Sequence, residues 1–216
     1  MCIRDSHYLI YILVFVGIHY YVIHMGLTCG LMRVGNGLNL RGRKVADACT
    51  HCEGQSGETG DPPSLVGLFE ESASRHRDKT AFIVYDRRIT YGELESRANR
   101  AAHMILTLTG TANRPAASLM EESVNTAIAM LAILKAGKAY VPLNAAYPES
   151  RLAHMVEESG AEVIVTDAAH TGKAEELAGG RDVVDIDSLP ENLPCTPPGV
   201  AFKPDDLACI LYTLSL

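Results

Sequence analysis

The segment AIAMLAILKAGKAYVPL, residues 127–143, decides the fold because it contains a complete transition from a helix to a strand. Residues 127–134 are apolar on nearly every side, which predicts a helix that is largely buried. Lys135 places a cation near the helix C-terminus, and Gly137 readily adopts left-handed backbone angles. Both features are typical of a helix end. Residues 139–143 then have the apolar, β-branched and aromatic character of an interior strand.

A hairpin and a capped helix are predicted upstream of this segment. Residues 81–90 contain two short strand-like runs around a polar turn, which is the pattern of a hairpin. TYGE at residues 90–93 has the sequence of a capping box, in which the Thr90 hydroxyl and the Glu93 carboxylate each satisfy a backbone N–H of the first turn. The apolar residues that follow at helical spacing predict a helix that ends near Gly110.

Helices and apolar strands alternate along the rest of the chain. Apolar strands connected by helices are typical of a parallel sheet covered by helices and joined by right-handed crossovers. The sequence therefore predicts an α/β fold with a parallel, Rossmann-like sheet flanked by helices. The predicted strands of the sheet are residues 115–120, 139–143, 162–166, 182–186 and 207–212. Further helices are predicted at 151–159, with Pro148 well placed for a first helical position, and at 174–178.

The charge distribution excludes one class of partner. The chain has 19 Lys and Arg residues against 26 Asp and Glu residues, and residues 61–216 alone carry 14 basic and 22 acidic groups. Nucleic-acid binding requires a basic surface that displaces counterions from phosphates, so we expect no nucleic-acid partner. Glu121, Glu157 and Glu175 resemble acid/base candidates, but they lie at exposed helical positions and are predicted to be solvated.

The cysteines suggest neither a disulfide scaffold nor a metal site. The six cysteines lack the density and regular spacing of a secreted disulfide framework, which favours a reducing compartment. Cys49 and Cys52, with His51 between them, have the spacing of half a structural zinc site. No second pair of cysteine or histidine ligands follows at a compatible spacing, so no metal ligand is predicted.

Residues 8–32 contain no Asp, Glu, Lys or Arg and are long enough for a transmembrane helix. The basic residues that follow, beginning with Arg33, would leave the C-terminal body in the cytoplasm. A membrane partner is therefore expected only if residues 8–32 are genuine protein, and otherwise the whole chain is predicted to be cytoplasmic.

Both ends of the chain match a translation of the DNA sequence of a sequencing-library adaptor. MCIRDS at residues 1–6 can be encoded by a transposon-end adaptor, and LSL at residues 214–216 by the start of its reverse complement. Residues encoded by adaptor DNA, here called scars, do not belong to the folded protein. We therefore expect residues 1–63 to be a non-homologous leader, consisting of the scar, the apolar run and a polar linker. Residues 64–213 are the predicted domain, and 214–216 a second scar.

Three motifs in this domain resemble those of the AMP-dependent synthetase/ligase family of adenylate-forming enzymes. ITYGELESRAN at residues 89–99 resembles the family motif LTYxEL, and LKAGKAYVPL at residues 134–143 resembles LKAGxAYVPLD. YPESRL at residues 147–152 is similar to AYPxxRL. Together, the second and third motifs resemble those of the adenylation domains of non-ribosomal peptide synthetases more than those of acyl-CoA ligases. Asn144 and Ala145 stand where the family usually has Asp and Pro, which keeps an acyl-CoA ligase fragment as an alternative.

The resemblance also indicates where nucleotide would bind. DLACILYT at residues 206–213 is similar to the strand that leads into the family's phosphate-binding loop, YTSGSTGxPKG. Glycine amides, hydroxyls and a lysine of such a loop bind the phosphates of ATP. The match stops at Thr213, because residues 214–216 differ from the expected Ser-Gly-Ser. Thr213 is therefore the single cofactor-binding candidate, and no catalytic residue or metal ligand is assigned.

The resemblance implies an enzyme that uses Mg-ATP to activate a carboxylic acid, in particular an amino acid, as an acyl-adenylate. The acyl group would then pass to the phosphopantetheine thiol of a carrier protein domain, with catalysis by positioning and charge stabilisation. The family's substrate pocket, adenine-binding motifs and catalytic lysine follow the phosphate-binding loop. We therefore expect this chain alone to bind no cofactor and to be inactive. The alternative from another class is a single-pass membrane protein with a non-catalytic cytoplasmic α/β module.

Overall fold

The computed structural model describes residues 64–203 and 206–212. The predicted apolar run, the Cys49 and Cys52 pair, Thr213 and both predicted scars lie outside these residues. Within the described ranges, no helix has both the length and the hydrophobicity needed to cross a bilayer. The helices are α1 (Leu65–Arg75), α2 (Tyr91–Thr109), α3 (Val124–Lys135), α4 (Glu149–Ser159) and α5 (Thr171–Ala178). The strands are β1 (Thr80–Val84), β2 (Arg87–Thr90), β3 (Pro115–Met120), β4 (Ala139–Asn144), β5 (Val163–Thr166) and β6 (Asp182–Asp185).

The predicted α/β fold with a parallel sheet is confirmed. Strands β4, β3, β5 and β6 are hydrogen-bonded in that order, and every neighbouring pair is parallel. Strands β1 and β2 form a separate antiparallel hairpin, in which Phe82 lies opposite Ile89. The sheet order places β3 and β5 in the interior, and both strands are apolar and buried, as expected for a sheet covered on two faces.

Side chains from successive strand residues enter two hydrophobic clusters on opposite faces of the sheet. On β3, Ala116 and Met120 belong to the cluster formed with the hairpin, α1, α2 and α3. Ala117 and Leu119 belong to the cluster formed with α4 and α5. This alternation follows from the two-residue period of a strand. Helix α3 contacts β3 and β4 on one side and α1 and α2 on the other, which explains why its sequence is apolar on nearly every side.

The predicted end of α3 is confirmed, and its geometry is tight. Gly137 has φ +70°, and its N–H donates to the carbonyl of Leu134 at 2.8 Å. A Cβ at this position would lie 2.7 Å from Val200 Cγ1, so glycine meets both a backbone and a packing requirement. Lys135 lies in the last turn as predicted, but its side chain is fully buried and pairs with Glu70 of α1.

The start of α2 is also confirmed. Thr90 Oγ1 accepts the N–H of Glu93 at 3.2 Å, and Glu93 Oε2 accepts the N–H of Thr90 at 2.9 Å. The N–H and the hydroxyl of Thr90 both donate to the Glu93 carboxylate and hold its pKa below the usual value, so the cap stays ionised and fixes the first turn. Gly110 ends the helix at φ +65°.

The segment 207–212 differs from its prediction as a full strand. It forms one isolated parallel bridge, between Cys209 and Tyr140 of β4. The side chain of Asn113 binds the backbone of Leu207 and takes the place of a regular strand partner there. A single bridge still places the segment beside β4, on the side that does not contact β3.

Candidate functional site

The carboxyl ends of the parallel strands form one edge of the sheet. Met120, Asn144, Thr166 and Asp185 are the last residues of β3, β4, β5 and β6, and their registers place these ends side by side. Ligands of open α/β sheets bind outside this edge, because the loops that leave the strands converge there. The carboxyl edge is therefore the candidate site.

The segment 207–212 approaches this edge next to β4. The N–H of Tyr140 donates to the carbonyl of Ala208 at 2.9 Å, and the N–H of Ile210 donates to the carbonyl of Tyr140 at 2.9 Å. This pair of bonds around one residue is the pattern of parallel pairing, so the segment runs in the same direction as β4. Thr213 follows the segment in the sequence but lies outside the described residues, so its assignment as a nucleotide-binding residue stays a prediction.

Asn113 attaches the beginning of this segment to the turn before β4. Its Nδ2 donates to the carbonyl of Gly137 at 2.7 Å and to that of Leu207 at 3.4 Å, and its Oδ1 accepts the N–H of Leu207 at 3.2 Å. One side chain thus links the end of α3 to the approach segment. Sequence reasoning missed Asn113, because its partners lie 24 and 94 residues away.

Cys209 anchors the segment in the core and has no chemical role there. It is fully buried in the cluster that includes α1, α2 and α3, and burial raises the pKa of its thiol to about 12. A thiol in such surroundings stays protonated and unreactive. Nearby, the Tyr140 hydroxyl is hydrogen-bonded with Ser118 Oγ at 3.2 Å, and burial raises the pKa of that hydroxyl above its usual value. Both groups therefore act in packing.

The turn after β4 explains one departure from the family motif. Asn144 Oδ1 accepts the N–H of Ala146 at 2.9 Å, a side-chain bond that an aspartate could form equally well. Lys173 Nζ donates to the carbonyl of Ala145 at 2.5 Å, and the guanidinium of Arg151 lies 4.2 Å from the centre of the Tyr147 ring. These cations hold the turn itself, so they are not free to bind a phosphate.

The ends of β5 and β6 present carboxylates. His170 Nδ1 and Asp167 Oδ1 are 2.5 Å apart. Asp187, which follows β6, pairs with Arg97 at 3.0 Å and accepts a hydrogen bond from Asn125 Nδ2 at 3.0 Å. These acidic groups stabilise the loops that leave the sheet.

This set of side chains does not fit a triphosphate or its magnesium ion. The carboxylates at the edge would repel phosphate oxygens, and the cations that contact these loops, Arg97, Arg151 and Lys173, are already engaged. Among the described residues, no group of three or more His, Cys, Asp and Glu side chains is arranged to hold a metal ion. The side chains described at this edge therefore stabilise the loops that leave the sheet.

The three glutamates considered as acid/base candidates are exposed, as predicted. Glu157 pairs with Arg181 at 2.8 Å, and this contact holds the pKa of the Glu157 carboxyl below its usual value. Glu175 lies on α5, whereas Glu121 lies in the connection between β3 and α3, so its predicted helical position is wrong. The structure does not bring these glutamates into a common site.

Comparisons with known proteins agree with this geometry. A family model described as AMP-binding enzyme matches residues 69–213. Phosphinothricin tripeptide synthetase PhsC of Streptomyces viridochromogenes is 34% identical over 178 residues, which cover 77% of this chain and 16% of PhsC. Surfactin synthase subunit 1 of Bacillus subtilis is 42% identical over 113 residues, which cover 52% of this chain and 3% of that protein.

A crystal structure of the non-ribosomal peptide synthetase FmoA3 bound to alpha-methyl-L-serine-AMP superposes with a TM-score of 0.67. It is 29% identical in sequence, and the match covers 73% of this chain and 18% of FmoA3. The chain therefore spans less than a fifth of the length of these relatives.

Proposed function

The chain belongs to the AMP-binding enzyme family, and we propose that it forms the N-terminal part of an adenylation unit that activates an amino acid. In the proposed reaction, a carboxylate oxygen of the amino acid attacks the α-phosphate of Mg-ATP, which yields an acyl-adenylate and releases pyrophosphate. The acyl group then passes to the phosphopantetheine thiol of a carrier protein domain. The amino acid and the carrier domain are the partners proposed for the whole protein.

The observation that carries this proposal is the parallel pairing of residues 207–212 with β4. A loop that follows a parallel strand at the carboxyl edge is the usual position for phosphate binding in α/β folds. Thr213, the next residue in the sequence, is proposed as the first residue of that loop. The family motif at residues 206–213 supports the same assignment.

The relatives favour an amino acid over other carboxylic acids as the proposed substrate. PhsC is named as a tripeptide synthetase, and FmoA3 is a non-ribosomal peptide synthetase whose structure contains alpha-methyl-L-serine-AMP. This agrees with the closer likeness of residues 134–143 to peptide synthetase motifs than to those of acyl-CoA ligases. An acyl-CoA ligase is therefore the less favoured alternative.

Within this reaction, residues 64–212 are proposed to act as a scaffold. Gly137 allows the sharp turn into β4, Asn113 fixes the start of the approach segment, and Cys209 buries its middle. Together these contacts set the position from which a phosphate-binding loop would leave the sheet. No described residue is proposed as a catalytic residue.

A chimaera tests the proposal directly. Residues 64–212 would replace the matching stretch of PhsC, and amino-acid-dependent exchange of pyrophosphate into ATP would be measured with unmodified PhsC as the reference. We expect exchange well above background, because the scaffold would present the host's phosphate-binding loop in the correct place. A folded chimaera with no exchange for any amino acid accepted by PhsC would contradict the proposal.

The domain boundaries are proposed as 1–63 for the leader, 64–213 for the adenylation part and 214–216 for the second scar. Long-read sequencing of the source DNA across both ends tests them. We expect codons for a glycine-rich loop ending in Pro-Lys-Gly after Thr213 and no codons for residues 1–6. Reads that encode both termini unchanged would contradict these boundaries.

A further inference from the structure

The hairpin of β1 and β2 exposes large apolar side chains on its outer face. Phe82 and Ile89 lie opposite each other and are buried against the core. Ile83 lies opposite Arg88 on the other face and is 59% exposed, while Tyr85 in the turn is 84% exposed. In the described part of the chain, these are two of the three large hydrophobic residues that are exposed. An exposed pair on one hairpin marks a surface that could bind a partner.

The turn also holds Tyr85 in an unfavourable backbone conformation. Tyr85 has φ 51°, and among the described residues it is the only one other than glycine with a positive φ. Tyr85 and Asp86 form the two-residue loop of the hairpin, in which glycine is preferred where φ is positive. A bulky residue there costs roughly 1–3 kcal/mol. This cost is not offset by packing, because the Tyr85 side chain is exposed, and such an outlier points to a function of the side chain.

A groove with basic walls adjoins the hairpin. It has a volume of about 800 Å³ and lies between the connection from α1 to β1, strand β2 and the first turns of α2 and α3. Arg77, Arg87 and Arg88 line it, all three are exposed, and none forms an ion pair with another described residue. Of the two acidic residues that line the groove, Glu93 is already engaged in the helix cap. The groove is therefore locally positive in an otherwise acidic domain.

We propose that this hairpin surface, formed by Ile83, Tyr85, Arg77, Arg87 and Arg88, docks an acidic polypeptide segment of a partner protein. The arginines bind carboxylates of the segment in the groove, and Tyr85 and Ile83 contact an apolar side chain beside them. Tyrosine and arginine are the residue types most enriched among the energetically dominant positions of protein interfaces. The strained Tyr85 would be retained for this contact.

The observations favour a polypeptide over other anionic partners. Arg87 and Arg88 lie on β2 and Arg77 lies in the connection before β1, and all three are exposed, unlike the buried and convergent groups of a small-anion site. A nucleic acid or an anionic membrane would extend beyond the groove over the acidic body of residues 61–216, where like charges repel. Charge interactions are screened beyond roughly 8 Å at physiological ionic strength, so a short acidic segment avoids most of that repulsion.

The test uses the full 216-residue chain and a fluorescent peptide of Asp and Glu with one central Phe, and measures binding by fluorescence anisotropy. Arg88→Glu is expected to weaken binding by about tenfold or more. Lys203→Glu changes the net charge by the same amount at an exposed position outside the groove, and it is expected to leave affinity nearly unchanged. A peptide with Lys in place of the acidic residues should not bind.

A second variant separates docking from folding. Tyr85→Gly removes the apolar contact and relieves the positive φ, so we expect weaker peptide binding with a thermal midpoint that is unchanged or higher. The absence of peptide binding, equal losses for Arg88→Glu and Lys203→Glu, or full binding by Tyr85→Gly would each overturn the proposal. It would also be overturned if the Arg88-dependent partner were phosphatidylserine vesicles or a second copy of this chain, with no binding of the peptide.

Discussion

Gly137 and Val200 approach each other so closely that a Cβ on Gly137 would lie 2.7 Å from Val200 Cγ1. This contact packs the loop before residues 207–212 against the turn from α3 to β4. The left-handed φ of Gly137 adds a second reason for glycine. The stability of the turn therefore depends on a contact with a residue far away in the sequence.

We expect Gly137→Ala to lower the free energy of unfolding by more than Gly160→Ala. Gly160 has a similar φ of 65°, but a Cβ at that position would have no neighbouring atom within 4 Å. Placing alanine in left-handed backbone angles costs about 1 kcal/mol at either site. Overpacking against Val200 adds about 1–3 kcal/mol at Gly137 alone. Urea denaturation of both variants measures the difference. Equal decreases in the free energy of unfolding would show that the contact with Val200 does not contribute to the cost of Gly137→Ala.

Asn113→Ala is expected to loosen the approach segment without unfolding the sheet. The change leaves the N–H of Leu207 and the carbonyl of Gly137 without their side-chain partner. Loss of a hydrogen bond costs about 1–3 kcal/mol when it leaves a partly buried donor or acceptor without a partner. We expect faster hydrogen exchange at the amide of Ile210, measured by NMR or mass spectrometry.

Asn125→Ala is the matched control for Asn113→Ala. It removes an asparagine bonded to Asp187 at the other end of the sheet, so the exchange rate at Ile210 should not change. If both variants, or neither, accelerated exchange at Ile210, then Asn113 would not be the group that holds the segment.

Lys138 is predicted to make stability depend on pH. Its side chain is almost completely buried, and Nζ donates to the carbonyl of Ala112 at 2.7 Å and lies 3.8 Å from Glu162 Oε2. Burial is the main cause that lowers the pKa of the Lys138 ammonium below 10.5. The folded chain therefore releases this proton at a lower pH than the unfolded chain does. The free energy of unfolding should rise with pH in the interval that ends near pH 10.5.

The comparison of wild type with Lys138→Met isolates this effect, since other groups titrate in the same interval. The stability of wild type relative to Lys138→Met should increase as the pH rises, whereas exposed Lys203→Met should show no such trend relative to wild type. Chemical denaturation at several pH values measures both. A constant difference between wild type and Lys138→Met would contradict the predicted shift.

The sequence was sufficient for the elements whose causes are local. The capping box at Thr90, the helix end at Gly137 and the parallel sheet all follow from short-range patterns, and the structure contains each of them. Helix α4 begins at Glu149, one residue after the proline predicted at its first helical position, and α5 begins at Thr171, three residues earlier than predicted. The first turn of α5 is polar, so the hydrophobic pattern did not extend to it.

Features that depend on distant partners could not be predicted. A lysine is usually exposed, and nothing near Lys135 in the sequence indicates that Glu70 will pair with it inside the fold. The contacts of Asn113 and the single bridge of Cys209 likewise depend on tertiary packing. The carboxyl edge could be inferred from the parallel strands, whereas the side chains that support it could not.

The pair of Lys135 and Glu70 gives a final prediction, because its two members should respond differently to substitution. The Lys135 side chain is fully buried, and its Nζ lies 5.8 Å from the centre of the Phe69 ring. Glu70→Gln leaves a buried ammonium without its counter-ion, which should cost about 3 kcal/mol or somewhat less, since Glu70 is partly exposed. Lys135→Met removes the charge altogether and should be nearly neutral.

Glu71→Gln is the control for Glu70→Gln, one residue along the same helix. Glu71 pairs with Arg75 on the surface, where both side chains are more than half exposed. Such pairs contribute only about 0–1 kcal/mol, so the loss should be small. Urea denaturation of the three variants and of the double variant Glu70→Gln with Lys135→Met measures the difference. If the double variant were as unstable as Glu70→Gln alone, the unpaired ammonium would not be the cause of the loss.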